Sequence, residues 1–203
     1  MSEPYRADNL LDRVGDAGTR QVHYDQTMRR ERELLDRRLP LRGGDVLSVG
    51  CGWHPGRHLF PSPAWRMTGV DLDPAMIAVL RESGELDDGL EGRAGELPFE
   101  PGSFDVLVMN NVLDHVRDAD LCLERSLELL RTGGVFIFGQ DLSNDDDVRF
   151  HPHDVGHPIR LSREDVDRHL AGLEVLLRKD LSREEGRDPR LHYATLIFAG
   201  RKP

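Results

Sequence analysis

Four short apolar runs mark the middle of the chain: Val46–Val49, Met67–Val70, Phe104–Met109 and Val135–Phe138. Each is compact and closes on a glycine, an acid or an amide, the pattern of strands buried on both faces. Helical patterns lie between them. Asp73-Pro74 reads as an N-cap followed by proline at the first helical position, with Met76, Ile77, Val79 and Leu80 as its apolar contacts. Val116, Leu123, Leu127 and Leu130 fall on about one face of a second helix, which Thr132-Gly133-Gly134 is expected to end. Ser162 to Leu170 begins as a capped helix, with Glu164 and Asp165 in its first turn, and Leu173–Leu177 and His192–Ala199 read as two final strands. Strands alternating with helices predict an α/β domain with a parallel sheet covered by helices.

The two ends of this pattern read differently. Residues 1–20 are polar, with Leu10, Leu11 and Val14 as their small apolar content, and Val22 to Leu39 is a charged helical stretch that Pro40 and Gly43-Gly44 stop. We therefore divide the chain into an N-terminal arm and cap helix over 1–40 and a main domain over 41–203. Within the latter, the polar stretch from Asp141 to Arg160 has no periodicity and is expected to form a lid near 141–160.

Composition narrows the function classes. The chain has 203 residues, enough for one domain with an ordinary core, and a formal net charge of −10. That charge repels a phosphate backbone, so nucleic acid is not the expected partner. No run approaches the roughly 18 apolar residues of a membrane helix, and Met1–Asp12 has no basic-then-apolar leader pattern, so no membrane association and a cytoplasmic location are expected. The two cysteines, Cys51 and Cys122, supply neither a disulfide framework nor an all-cysteine metal site.

Chemistry concentrates at the strand ends. Gly50-Cys51-Gly52-Trp53-His54-Pro55-Gly56 follows the first strand, where glycines let the backbone turn sharply and approach a ligand. Its Gly-x-Gly-x-x-x-Gly spacing differs by one residue from the dinucleotide fingerprint. Asp71 ends the second strand, 21 positions after Gly50, where a carboxylate can accept from both hydroxyls of a ribose. This pair fits a nicotinamide or an adenosyl cofactor equally.

Three further segments follow in order: Ala94-Gly-Glu-Leu-Pro-Phe99, Gly102-Ser-Phe-Asp-Val-Leu-Val-Met-Asn-Asn111 with Val-Leu-Asp-His-Val after it, and Leu129-Leu-Arg-Thr-Gly-Gly134. Together with the first two they resemble the class I S-adenosylmethionine-dependent methyltransferases, in particular the small bacterial group with a Leu-Pro-Phe motif, over about Asp45 to Gly139. The resemblance implies a Rossmann-like, doubly wound sheet of seven strands with the last antiparallel and helices on both faces. It implies S-adenosyl-L-methionine as cofactor, with Gly50, Cys51 and Gly52 beneath its methionine part and Asp71 on the ribose. Leu72 would pack beside the adenine, Ala94 and Gly95 would border its edge, and Asn110 would lie beneath the sulfonium. Three features depart from the family pattern: Ser48 and Arg93 stand where acidic residues are common, and the Trp53–Gly56 loop carries a proline and one extra residue.

The function this implies is methyl transfer to a small-molecule acceptor, at oxygen or nitrogen. An oxygen acceptor calls for a base, and His115, His153 and His157 are the candidates, each with a packing or lid role as its alternative. His151, His153 and His157 with Asp141, Asp145 or Asp154 match metal ligands by type, but their spacing belongs to no helix face or hairpin, so no metal is expected. Cys51 lacks a partner base and is read as a backbone contact. Two other readings stand beside this one. A non-catalytic protein that binds the adenosyl cofactor or a partner accommodates Ser48 and Arg93, whereas an NAD-dependent oxidoreductase is disfavoured by the missing fingerprint.

Overall fold

The computed structural model describes residues 43–116, 118–140, 161–180 and 196–203. The arm and cap helix over 1–40, the lid near 141–160, and with it His153 and His157, lie outside the described residues.

Seven strands form one sheet: β1 Gly44–Val49, β2 Trp65–Asp71, β3 Asp88–Glu91, β4 Phe104–Asn110, β5 Leu130–Gln140, β6 Glu174–Asp180 and β7 Leu196–Arg201. Their order is β3-β2-β1-β4-β5-β7-β6. The β3, β2, β1, β4 and β5 neighbours pair in parallel, whereas β7 runs antiparallel to both β5 and β6. Three helices are described: α1 Pro74–Glu82, α2 Ala119–Leu129 and α3 Arg163–Leu170. This is the Rossmann-like, doubly wound arrangement that the resemblance implies.

Strand alternation builds two cores. Val46, Val106, Val108, Val135, Ile137 and Ile197 pack with Met76 and Leu80 of α1. Their neighbours Leu47, Leu107, Met109, Phe136, Phe138 and Phe198 pack with Leu123 of α2 and Val166 of α3. Successive side chains point to opposite faces, so continuous apolar runs are what a sheet covered on both sides requires.

The local signals hold at most element ends. Asp73 caps α1 by accepting from the N–H groups of Ala75 and Met76. Ser162 and Asp165 form a reciprocal capping box at α3. The second helix differs from its sequence reading at both ends. It starts at Ala119, where Asp118 accepts from the Leu121 N–H, so Val116 precedes it. It stops at Leu129, before the glycines. The Gly133 N–H donates to the Lys202 carbonyl and the Lys202 N–H to the Gly134 carbonyl, which draws this segment into β5. The strand β3 carries Leu90 as its one large apolar residue, and the pattern of apolar runs does not reveal it. After the glycine turn, Arg57–Leu59 makes a single 3-10 turn before Pro61-Ser62-Pro63.

Candidate functional site at the carboxyl edge of the sheet

The chain leaves β1 toward β2 on one side, then returns to place β4 on the other. Ligands bind in open α/β sheets outside the carboxyl ends of the strands at such a reversal. The register puts Val49 opposite Val70 and Met109, and Asn110 opposite Gly139. The exits of β2, β1, β4 and β5 therefore stand side by side, with that of β3 next to β2.

The turn after β1 is built from backbone. Gly50 and Gly52 have φ of 58° and 49°, in the left-handed region that glycine occupies without strain. A Cβ on Gly50 would approach the Val112 methyls within 2.8 and 2.9 Å, so β4's exit segment closes over the turn at glycine distance. Between them, the Cys51 N–H donates to the Val70 carbonyl at 3.0 Å. Its Sγ would lie 3.0 Å from a Cβ on Gly69, so the thiol faces β2. Burial, with the negative charge of Asp71 adding to it, pushes the Cys51 thiol up to about 12. A thiol so protonated is no nucleophile near neutral pH, in keeping with a backbone role for this position.

Asp71 joins two loops. Its Oδ2 accepts the Gly52 N–H at 2.9 Å, while its Oδ1 accepts those of Leu72 at 2.7 Å and Asp73 at 3.3 Å. The residues following the two joined positions, Trp53 and Leu72, are large and apolar, yet 48% and 49% exposed. Neither belongs to the cores, so both are available to a flat apolar ligand. Past β3, the Glu96 N–H closes a turn onto the Arg93 carbonyl around half-buried Ala94 and Gly95. Among the described residues a Cβ on Gly95 would meet nothing within 4 Å.

On the β4 side, Asn110 is half-buried at the strand tip, and Asn111 takes φ 50° while its N–H donates to the Gly139 carbonyl at 2.8 Å. The Leu113 N–H donates to Oε1 of fully buried Gln140 at 3.2 Å. The following 3-10 turn, Leu113–His115, places His115 Nε2 3.9 Å from Oδ1 of buried Asp114, with the imidazole 26% exposed.

The structure thus gathers Gly50, Cys51, Gly52, Asp71, Leu72 and Asn110 on one edge, with Ala94 and Gly95 at its β3 end and His115 one turn past its β4 end. Ser48 is 3% exposed within β1, between Gly69 and Val108, and brings no charge to the turn. Three polar residues of this edge escaped the sequence reading: Asn111, Asp114 and Gln140. An Asn-Asn pair after an apolar run was the available signal, because asparagine tolerates left-handed backbone. Among the described residues no helix is long and apolar enough to cross a membrane, and no group of three or more His, Cys, Asp or Glu is placed to hold a metal ion.

Comparison with known proteins gives a consistent picture. Residues 47–138 match the family model described as a methyltransferase domain. Over 110 residues the chain is 36% identical to a Mycolicibacterium smegmatis protein named as a probable S-adenosylmethionine-dependent methyltransferase, covering 53% of this chain and 43% of that protein. It is 31% identical over 107 residues to the ubiquinone biosynthesis O-methyltransferase of Xylella fastidiosa, covering 50% and 44%. The matched segment thus spans less than half the length of either relative. Among solved structures, a chain of the complex between the Haloferax volcanii Trm112 methyltransferase activator and a methyltransferase superposes with TM-score 0.70 at 21% identity, covering 92% of this chain and 95% of that one. The Burkholderia thailandensis 1,6-didemethyltoxoflavin-N1-methyltransferase, solved with S-adenosylhomocysteine, superposes with TM-score 0.63 at 22% identity, covering 100% and 93%. At these identities the two structures establish the fold.

Proposed function

We propose, from the match of residues 47–138 to a methyltransferase-domain model and from the similarity to an S-adenosylmethionine-dependent relative, that the chain acts as a class I methyltransferase, transferring a methyl group from S-adenosyl-L-methionine to a small-molecule acceptor. The observation that carries this reading is the Asp71 carboxylate fastened beside the Gly50–Gly52 turn at the reversal of the sheet. Its Oδ2 keeps a lone-pair position for a ribose hydroxyl, and the turn has no side chain to obstruct an amino-acid moiety. Leu72 would cover one side of the purine, Ala94 and Gly95 would border its edge, and Asn110 would lie nearest the sulfonium.

The cofactor supplies a positively charged sulfonium that gives up its methyl to an aligned nucleophile. What remains for the protein is alignment and exclusion of water. Asn110 and the β4 exit would set the angle of approach. For an acceptor hydroxyl, His115, one turn past β4, is the base we propose, with His153 and His157 as further candidates on the 141–160 segment.

A small acceptor agrees with the net charge of −10, which repels polyanions. The O-methyltransferase relatives favour oxygen as the atom modified. Titration calorimetry with S-adenosylhomocysteine tests the reading, with NAD as control and Asp71→Ala as variant. We expect the adenosyl ligand to bind wild type and to lose at least tenfold in affinity in the variant, with no heat from NAD. Well-folded protein that ignores S-adenosylhomocysteine would overturn it. Binding with no transfer to any member of a broad acceptor panel would favour a cofactor-holding role instead.

A further inference from the structure

We propose that Asp71 is also a positioning residue, holding the Gly50–Gly52 turn in its ligand-ready shape before any ligand arrives. The inference rests on how the second half of that turn is held: besides the His54 N–H, which closes it onto the Cys51 carbonyl at 3.2 Å, little among the described residues restrains it. Gly50 is wedged against Val112, and Cys51 is tied to the β2 ladder through the Val70 carbonyl. Among the described residues a Cβ at Gly52 would touch only the Gly50 carbonyl oxygen, at 4.0 Å, so their packing does not fix this residue. Its N–H bond to Asp71 Oδ2, across 19 positions of sequence, does. Ser48, where an acid commonly stands in the family, is buried between β2 and β4 and offers the turn no carboxylate.

Lone-pair accounting carries the argument to the ligand. A carboxylate has about four acceptor positions, two on each oxygen. Here Oδ1 already accepts from Leu72 and Asp73, and Oδ2 from Gly52. One position is open, on Oδ2. A ribose hydroxyl that takes it meets a carboxylate already oriented by three backbone donors. A second hydroxyl engages only if the 3.3 Å bond from Asp73, the longest of the three, gives way. The expectation that Asp71 receives both hydroxyls is thus refined: one is accommodated directly, and the other requires the start of α1 to yield. The same carboxylate then couples the nucleoside half of the ligand to the turn that would receive its amino-acid half.

Two measurements test this. The first needs no ligand: backbone amide exchange at Gly52 in wild type, Asp71→Asn and Asp71→Ala, with the amides of Val46–Val49 as internal reference. We expect Gly52 to exchange at least tenfold faster in the alanine variant and by an intermediate factor in the asparagine variant, which keeps one acceptor oxygen. Reference amides should stay unchanged, showing that the sheet is intact. Unaltered Gly52 exchange in both variants would overturn the proposal.

The second measurement rests on the methyltransferase reading. Binding of S-adenosylhomocysteine is compared with binding of adenosine, which lacks the amino-acid half. A positioning role predicts a larger fold-loss for S-adenosylhomocysteine than for adenosine in Asp71→Ala. Equal losses for the two ligands would mean that Asp71 serves the ribose alone and would overturn the proposal. Should neither ligand bind wild type, the functional reading fails, and the exchange experiment alone decides the role of Asp71.

Discussion

Gly50 illustrates how tightly single atoms are placed at the carboxyl edge of the sheet. Adding a Cβ there would combine left-handed backbone, at about 1–2 kcal/mol, with an overpacking clash against Val112, at about 1–3 kcal/mol. Urea unfolding of Gly50→Ala should show a loss of this order. Val112→Ala in the same chain should recover the packing part and not the backbone part, which a double-mutant cycle separates. Cys51 gives a prediction in pH. Its thiol is held near 12 in the folded protein against 9.0 without its surroundings, so the unfolded chain loses that proton first. Stability from this group is complete below pH 9.0 and falls as pH rises toward 12. Urea unfolding between about pH 8 and about pH 10.5 should decline less steeply in Cys51→Ala, by about 1.4 kcal/mol per pH unit above the thiol's ordinary range. A slope identical to wild type would show that the thiol is not shielded as described. At this scale the places of Gly50, Gly52 and Asp71 at the strand exits were legible because a glycine pair or an acid directly after an apolar run marks where the strand stops. Asp114 and Gln140 were not, since their burial is decided by the pairing of β4 with β5 and the turn that follows, which no local pattern encodes.

Some helix and strand ends of this protein are set by a distant residue that supplies the missing partner, which is why those boundaries were less legible than element types. The α2 carboxyl end is the clearest case. Lys202, one of two lysines in the chain, donates from Nζ to the carbonyls of Leu127 at 2.9 Å and Leu130 at 2.7 Å. The Leu127 carbonyl also accepts the Leu130 N–H, and the Leu130 carbonyl lies just past the helix end, where a cation suits the helix dipole. The glycines at 133 and 134 carried a stop signal that the sequence shows, but pairing with the C-terminal residues extended them into β5 and moved the stop to Leu129. Lys202→Met should lower stability by about 1–2 kcal/mol in urea unfolding, and a change within error would place the anchoring elsewhere. By contrast, α3 was legible at its start because the Ser162–Asp165 capping box is contained in four consecutive residues. The strand β3 stayed hidden for the opposite reason: four residues at a sheet edge, each at least partly exposed, need no apolar run.

Over the whole molecule the two ends of the sheet divide the work. The carboxyl edge holds the glycine turn, Asp71, Asn110 and His115, with bonds made largely by backbone donors that a ligand can join. The opposite edge is closed by side chains. Asp105 Oδ2 accepts the Asp45 N–H at 2.8 Å and pairs with Arg131 Nη1 at 2.7 Å, and Arg131 also donates to the carbonyls of Ser103 at 2.7 Å and Gly102 at 3.1 Å. This ties β1, β4 and β5 together where the chain enters them. A Cβ on Gly44 would clash with Asp105 Oδ2, so the glycine there leaves room for the carboxylate to reach its donors. The strand β4 is 7 residues long, which separates the two edges by roughly 20 Å. Perturbations so far apart and without shared partners should act independently. Asp105→Ala should therefore cost about 1–3 kcal/mol of stability, since it strands the Asp45 N–H and removes one partner of the Arg131 guanidinium, yet leave S-adenosylhomocysteine affinity within about twofold. Asp71→Ala should do the reverse on the binding axis, losing at least tenfold, and the double variant should show the sum of both effects. A loss of affinity in Asp105→Ala as large as that in Asp71→Ala, measured well below its melting point, would mean that the sheet transmits strain from one edge to the other and that the site is not set by its own carboxyl edge alone.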